Sequence, residues 1–438
     1  MDRRTFLTLA GAGLVSGCAR RAWRAASLSL LDDDFLDGLQ QRCFRYFHEK
    51  TDPETGLTLD RANNDGGAYT LDARPTANVT VTGFGLVAFC IAAERGWIRR
   101  GEALGRMRTA LRFLAQKAPH ERGWFYHWMH LRTGERAGAF SKETTLSEIS
   151  TIDSAFLLGG VLTARQYFRN DPEVVRLADD IYRRVDFPWM MQEKSLILCH
   201  GWTPERGFIL DLWDEYSEAN LLYLLAIGSP TKPIPARAWY AWKRNPNRYG
   251  PYRYIGTASL FTDQYSHAFV DFRGRKENNG KGVDWFANSV TATRAHRQFC
   301  IDLARRFPGY SPDIWGITAS RSADGYTDWG GPPLDPRIDG TVVPSAAGGS
   351  LMFTPDICVP ALRAMAERFE NKVLCRYGFT DSFNPTTGWV SPDVTGLGIG
   401  ITLLAAENLR SGKPWSWFMA NPEPRRALEL AGVPPGTP

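Results

Sequence analysis

No two of the seven cysteines stand in a C-x-x-C spacing, so the sequence offers neither a zinc-ribbon nor a dithiol redox motif. Past the first 20 residues, no apolar run approaches the roughly 20 residues that a membrane span requires. Strand-type alternation of Val, Ile and Thr is scarce, which argues against a sheet-based fold. No fixed repeat period indicates a solenoid, and no Pro-rich or Ser-rich linker divides the 438 residues. A concentrated basic patch is also missing. The net charge is +5, but Arg3, Arg4, Arg20, Arg21 and Arg24 against Asp2 give the first 24 residues +4, which leaves +1 for the rest. Arg273, Arg275 and Lys276 cluster, yet Asp271 and Glu277 flank them. A nucleic-acid partner is therefore not expected. With 43% hydrophobic and 23% charged residues, the chain is also unlike a disordered, collagenous or coiled-coil sequence.

What the chain has in quantity is 15 Trp, 41 Gly and 27 Pro. Many indoles in a loop-rich chain suggest binding surfaces built on loops, and sugars are frequent partners of such surfaces. The first 18 residues, MDRRTFLTLAGAGLVSGC, read as an address. Arg3-Arg4-Thr5-Phe6-Leu7 has the form of a twin-arginine export signal, followed by the short apolar stretch 7–15. Val15-Ser16-Gly17-Cys18 has the form of a lipobox, with Cys18 as the lipidated residue. We expect a signal peptide over 1–17, a lipid-anchored linker over 18–32 and one domain over 33–438. The protein would be a membrane-anchored lipoprotein, periplasmic or on the cell surface, touching the membrane only through its lipid. Sequence does not pair the other six cysteines.

Apolar residues recur at helical spacing in segment after segment. Phe35, Leu36, Leu39, Cys43, Phe44 and Phe47 form one stripe. Further helices are predicted near 79–96, 102–116, 150–169, 171–185, 215–228, 259–270, 284–306, 356–370 and 398–411. Short ones are expected at 233–243 and near the C-terminus. Long spacers such as 307–355 and 376–397 are rich in Gly, Pro, Asp and Trp, and long connections of this kind are usually functional. Ten to twelve helices without a linker predict an all-α chain, an (α/α)6 barrel (toroid) whose long loops form a cleft at one end. Connections 141–153, 206–218, 309–340 and 376–397 would line it.

Two acidic stretches run into long apolar helices: Lys142–Asp153, containing Glu143, Glu148 and Asp153, and Asp211–Glu218, containing Asp214, Glu215 and Glu218. Capping explains part of this, since Ser150-x-x-Asp153 is a capping-box pattern and acids favour helix N-termini. Function explains the combination. Cleavage of a glycosidic bond requires a protonated acid beside the leaving oxygen and a second carboxylate for water or attack. Aromatic faces such as Trp202, Trp213 and Tyr216 suit pyranose rings.

Several ordered blocks carry a family resemblance: TGFGLVAFCIAAERGWI (82–98), GWFYHWMHLRTGERA (123–137), SEISTIDSAFLLGGVLTARQYF (147–168), DEYSEANLLYLLAIGSPTKPIP (214–235), YSHAFVDFRG (265–274), GVDWFANSVTATRAHRQFC (282–300), YSPDIWGITASRSADGY (310–326), DGTVVPSAAGGSLMFTP (339–355) and RYGFTDSFN (376–384). They span nearly the whole chain and resemble the bacterial glucoamylase-like family, whose members include endo-β-1,2-glucanases. The resemblance implies the (α/α)6 barrel, no catalytic metal and no cofactor, and acid/base hydrolysis with inversion of a glucan, β-1,2-linked for this chain. It also implies roles. Glu218 matches the general acid, Asp153 and Glu148 match acids of the cleft, and Asp381 and Asp393 are candidates for the base side; Glu218, Asp153 and Asp381 are the expected catalytic acids, with Glu148 and Asp393 expected to bind substrate. Apolar walls around Glu218 would raise its pKa, as an acid catalyst near neutral pH requires. One segment departs: where the family's last long helix often opens G-I-D-Q-G-P, this chain reads Gly396-Leu397-Gly398-Ile399-Gly400-Ile401.

Further residues allow two readings each. His127 and His267 could contact substrate or serve as hydrogen-bonded structural histidines. Arg273 could bind sugar hydroxyls or brace Asp271. Trp285, Trp315, Trp329 and Trp389 could line subsites or pack, while Tyr216 is expected to bind substrate. The expected partner is a glucan oligo- or polysaccharide, and the expected state a monomer. Competing functions are a transglycosylase or phosphorylase on the same fold, and a non-catalytic glycan-binding lipoprotein.

Overall fold

The computed structural model describes residues 28–67, 75–138, 146–192, 194–279 and 282–435. The export signal and Cys18 lie outside the described residues. The chain is mostly helical, 46% by residue, as expected from the periodicity. Its helices are α1 (Leu30–Lys50), α2 (Val79–Glu94), α3 (Arg100–Gln116), α4 (Thr151–Tyr167), α5 (Pro172–Arg183), α6 (Asn220–Gly228), α7 (Trp285–Leu303), α8 (Pro344–Gly349), α9 (Pro355–Arg368), α10 (Gly396–Arg410), α11 (Lys413–Met419) and α12 (Pro422–Leu430). Helix α1 begins inside the segment expected to be linker. Ser29 caps it by accepting from the Asp32 N–H, and Arg410 clamps Asp33 and Asp37.

The helices are of two kinds. In α2, α4, α6 and α10 almost every side chain is buried, because these stretches are apolar all round and carry Gly, Ala or Thr where neighbours approach. Helices α1, α3, α5 and α7 bury one stripe and leave the other face to solvent. The two kinds alternate along the first six helices. Helix α2 packs on α4 and α10, α4 on α6, and α10 closes onto α1 and α8. Contact between α2 and α4 is backbone to backbone: a Cβ on Gly160 would stand 2.2 Å from the Gly83 carbonyl oxygen.

The expected helices at 233–243 and 259–270 are short 3-10 turns (Ala236–Tyr240, Leu260–Asp263 and Ser266–Ala268), and α6 begins five residues later than expected. Between the helices, strands of two to four residues pin the loops together. Arg61–Asn63 pairs with Asp393–Thr395, Thr76–Asn78 with Trp128–His130, and Ile149–Ser150 with Gly201–Thr203. Each of these ladders delivers the chain to the N-terminus of an almost wholly buried helix. Caps then hold those N-termini: Asn78 accepts from Thr80 and Val81, Ser150 from Asp153, and Thr395 from Gly398. Among the described residues no helix is long and apolar enough to cross a membrane.

The six described cysteines are separate thiols, five of them buried. Tryptophan has largely gone to the interior: Trp124, Trp239, Trp285, Trp315 and Trp415 are fully buried.

Candidate active site

The functional groups collect at these capped N-termini. Asp153 sits in the first turn of α4, where Thr80 Oγ1 donates to its Oδ1 (2.7 Å) and Ser150 Oγ to its Oδ2 (2.6 Å). His127 lies 3.4 Å from Asp153 through Nε2 and 3.0 Å from Glu148 Oε1 through Nδ1. Burial works against a charged imidazole there, but Asp153, Glu148 and Asp60 outweigh it and raise the His127 pKa. Burial would likewise push the Glu148 carboxyl up, yet the hydrogen bond and charge of His127 bring it below the ordinary carboxylate range. Asp60 is raised by burial, against the pull of Arg61 and His127.

Glu218 ends the loop before α6. Ser266 Oγ donates to its backbone carbonyl and accepts from the Leu221 N–H (2.8 Å), which locks the entry to the helix. The Glu218 residue is only 9% exposed. Burial pushes its pKa up to about 7, with Asp153 adding to the rise. Among the described residues, no side chain donates a hydrogen bond to this carboxyl. A proton is thus held on a group that has nowhere inside the protein to give it.

Asp381 accepts from the Arg321 backbone N–H (2.8 Å) and from Thr395 Oγ1 (3.1 Å). Burial raises its pKa to about 6, opposed by Arg61 and supported by Asp393. Asp393 is wholly buried behind it, accepting from Arg321 Nη1 (3.2 Å) and Ser391, with Arg61 Nη1 at 3.6 Å. Asp381 lines a cavity together with Arg61, Gln264, Tyr265, Ser345 and Tyr326. Tyr265 ties the halves together. Its hydroxyl is pushed far up by burial, and the neighbouring Tyr326, Glu218, Asp381 and Asp153 all add to that rise. The three expected catalytic acids therefore surround one tyrosine.

A second groove is lined by His200 and residues 210–217. In it Trp213 stacks on His200 at 3.8 Å and donates Nε1–H to Thr151 Oγ1 (2.9 Å). Tyr216 backs this groove but is itself buried, its hydroxyl donating to Asp263 Oδ1 (3.0 Å). Burial pushes Asp263 up to about 8.

The remaining candidates lie away from the cavity. Trp285 is fully buried at the start of α7, stacked on Tyr216 and bonded through Nε1 to Glu277 (3.1 Å). Trp315 is fully buried beside His296. His267 is buried against Ser289 Oγ (3.1 Å), and burial depresses its pKa to about 3. Arg273 clamps Asp271 with two bonds of 2.8 Å and lies over Trp415, which is the bracing alternative. Trp389 is half-buried on the Trp389–Val390 strand, outside both lining sets. The sequence gives these aromatic and basic residues no distinguishing mark, because a core indole and a subsite indole look alike in one chain.

Conversely, Asp60, Arg61, Gln264, Tyr265, Arg321 and Tyr326 were not singled out. Two carry a signal in hindsight, since the blocks 265–274 and 310–326 begin and end on Tyr265 and Tyr326. Ligand atoms of His127, Glu148 and Asp153 lie within 4.8 Å of one another and are the group among the described residues that could hold a cation. Their own hydrogen bonds already account for that closeness.

A family model described as glycoamylase matches residues 211–422, which contain Glu218, Tyr265, Asp381 and Asp393. The chain is similar to this glucoamylase-like family over that stretch, just under half of its length. An exo beta-1,2-glucooligosaccharide sophorohydrolase of Parabacteroides distasonis is 28% identical over 92% of the chain. The chain spans 58% of the length of that curated relative. Among solved structures, an endo-beta-1,2-glucanase of Chitinophaga pinensis, in complex with sophorotriose and glucose, superposes with a TM-score of 0.83 at 27% identity. It covers 93% of this chain and 99% of its own. A beta-1,2-glucanase of P. distasonis gives 0.83 at 26% identity, covering 92% of this chain and 60% of its own. The family match takes in Glu218, Tyr265, Asp381 and Asp393, whereas His127, Glu148 and Asp153 lie before it.

Proposed function

We propose that the chain is a glycoside hydrolase acting on β-1,2-glucan by acid/base catalysis with inversion. The observation that carries this reading is Glu218: a nearly buried carboxyl, protonated up to about pH 7, that neighbours the same Tyr265 with which Asp381 lines a cavity. The family members named above supply the substrate class. Glu218 donates its proton to the leaving glycosidic oxygen as the C1–O bond breaks. Asp381 accepts a proton from the water that attacks C1 from the other face, so the new hydroxyl forms with inverted configuration. Arg61 and the Arg321 N–H hold Asp381 ionised, with Asp393 neutralising Arg61 and Arg321 from behind. Asp153 and Glu148, fixed by His127, Thr80 and Ser150, supply acceptors for sugar hydroxyls next to the acid.

Chromatography of the products from linear β-1,2-glucan beside a panel of other glucans tests this reading. We expect short oligosaccharides from the β-1,2-linked polymer and a loss of at least about a thousandfold in kcat for Glu218→Gln, in keeping with removal of a general acid. No cleavage of any glucan by the wild type, or full activity in Glu218→Gln, overturns it. Longer products at high donor concentration, or dependence on phosphate, would instead indicate transfer.

The same proposal includes the architecture and the address. The alternation of buried and half-buried helices supports an (α/α)6 barrel with the site at the N-termini of its inner helices. We further infer export by the twin-arginine route, removal of residues 1–17, lipidation at Cys18, and a monomeric body held at a membrane in the periplasm or on the cell surface. The support is the Arg3-Arg4 pair and the Val15–Cys18 motif.

A further inference from the structure

We propose that Tyr326 is the stacking platform for a glucosyl unit at the Asp381 end of the cavity, and so sets the affinity for the sugar chain; this rests on the glucan-hydrolase reading above. The tyrosine is 59% exposed although its ring lines the cavity with Arg61, Tyr265 and Asp381. A lone exposed aromatic is unremarkable on a protein surface. What distinguishes this one is its support.

Tyr326 lies on the hairpin formed by Ser320–Ser322 and Gly325–Thr327, directly opposite Arg321. Arg321 is fixed to the acid wall at three points. Its backbone N–H donates to Asp381 Oδ2 (2.8 Å), its guanidinium to Asp393 Oδ2 (3.2 Å), and its carbonyl accepts from Ser382 Oγ (2.5 Å). At the base of the hairpin, Trp329 Nε1 donates to Ser320 Oγ (3.2 Å). The strand beneath the ring is thereby part of the same rigid unit as the candidate base.

The ring itself is unengaged. Among the described residues, none takes the Tyr326 hydroxyl as a hydrogen-bond partner and none packs a ring or guanidinium on its face. A pinned, amphipathic ring with two free torsions gives large contact area at low entropic cost. The apolar face of a pyranose is the ligand that fits such a ring, with its hydroxyls left for Arg61 and the acids. Because the hairpin also carries the N–H that positions Asp381, a sugar seated on Tyr326 is registered against the base through one paired hairpin and one hydrogen bond.

The test compares Tyr326→Ala, Tyr326→Phe and Tyr326→Trp in steady-state hydrolysis of linear β-1,2-glucan and sophorotriose-length oligomers, with thermal melts as a folding control. For Tyr326→Ala we expect KM to rise by about tenfold while kcat falls by less than about threefold, and the melt to stay in place. Phe and Trp should restore most of the lost affinity, since the ring face and not the hydroxyl makes the contact. An Ala variant with unchanged KM overturns the inference. So does an Ala variant that loses kcat at constant KM, or a Phe variant as impaired as Ala. If the wild type cleaves no glucan at all, the functional reading fails and this inference falls with it; that result is read on the wild type, whereas failure of the inference alone is read on the variants.

Discussion

Glu218 keeps its proton because burial penalises the carboxylate and its own backbone N–H offsets only part of that cost, while Asp381 has two donors and a guanidinium to favour the ionised form. Two carboxyl groups are thus separated by environment into an acid and a base. With Asp381 titrating at about 6 and Glu218 at about 7, kcat/KM should be bell-shaped and narrow. Activity rises with pH as Asp381 ionises and falls as Glu218 does, a profile measured directly from initial rates. Substituting the Arg61 side chain by Ala removes the charge that holds Asp381 down, so the acidic limb should move upward. The same shifts bear on stability. A carboxyl whose folded pKa is raised from 4.5 to about 7 holds its proton where the unfolded chain has lost it. Its contribution is therefore most favourable below about pH 4.5, declines as pH rises to 7, and is constant beyond. Glu218→Gln should then be more stable than wild type by about 3 kcal/mol at pH 7.5 and equal to it at pH 4, by denaturant titration. A catalytic group that costs stability at its working pH is the expected trade of function against folding.

At the scale of elements, the site depends on how closely α2 and α4 approach, because their N-termini present Thr80 and Asp153 to each other. Gly83 and Gly160 make that approach possible. A Cβ on Gly83 would lie 2.5 Å from the Phe156 carbonyl oxygen, and one on Gly160 2.2 Å from that of Gly83, with backbone on the other side of each contact. Backbone cannot swing away as a side chain can. Gly160→Ala should destabilise the fold by about 2 kcal/mol or more, and should also weaken activity in the folded fraction by parting Thr80 from Asp153. A melt combined with kcat on purified folded protein separates the two effects. The caps matter in the same way. Ser150 both caps α4 and donates to Asp153, so Ser150→Ala should cost about 1 kcal/mol and free the Asp153 carboxylate to turn.

At the scale of the whole molecule, a nearly neutral body follows an arginine-rich leader. A surface of this kind suits an uncharged polymer, and in the proposed export route the basic excess serves transport. Cys18→Ser should leave hydrolysis by the purified body unchanged and move the protein from the membrane fraction to the soluble fraction after cell lysis. Retention of the variant in the membrane fraction would count against lipid anchoring at that position.

Helical periodicity, the absence of linkers and the acidic entries to two helices are local properties, and the sequence by itself determined them: mostly helical structure, the stripe of α1, the cap at Ser150 and the pairing of Glu218 with an apolar helix. Hydrophobic burial acts on every residue of a pattern, which is why the pattern can be read. Only the tertiary structure decided which groups meet. Asp60, Arg61 and Asp393 come together because residues 61–63 pair with residues 393–395, more than 300 positions apart, and no local rule announces that register. The same holds for Trp285, Trp315 and His267, which share their chemistry with any subsite residue but lie within the core. Burial also set the pKa values, since a carboxyl in one chain looks like any other until its surroundings are folded around it.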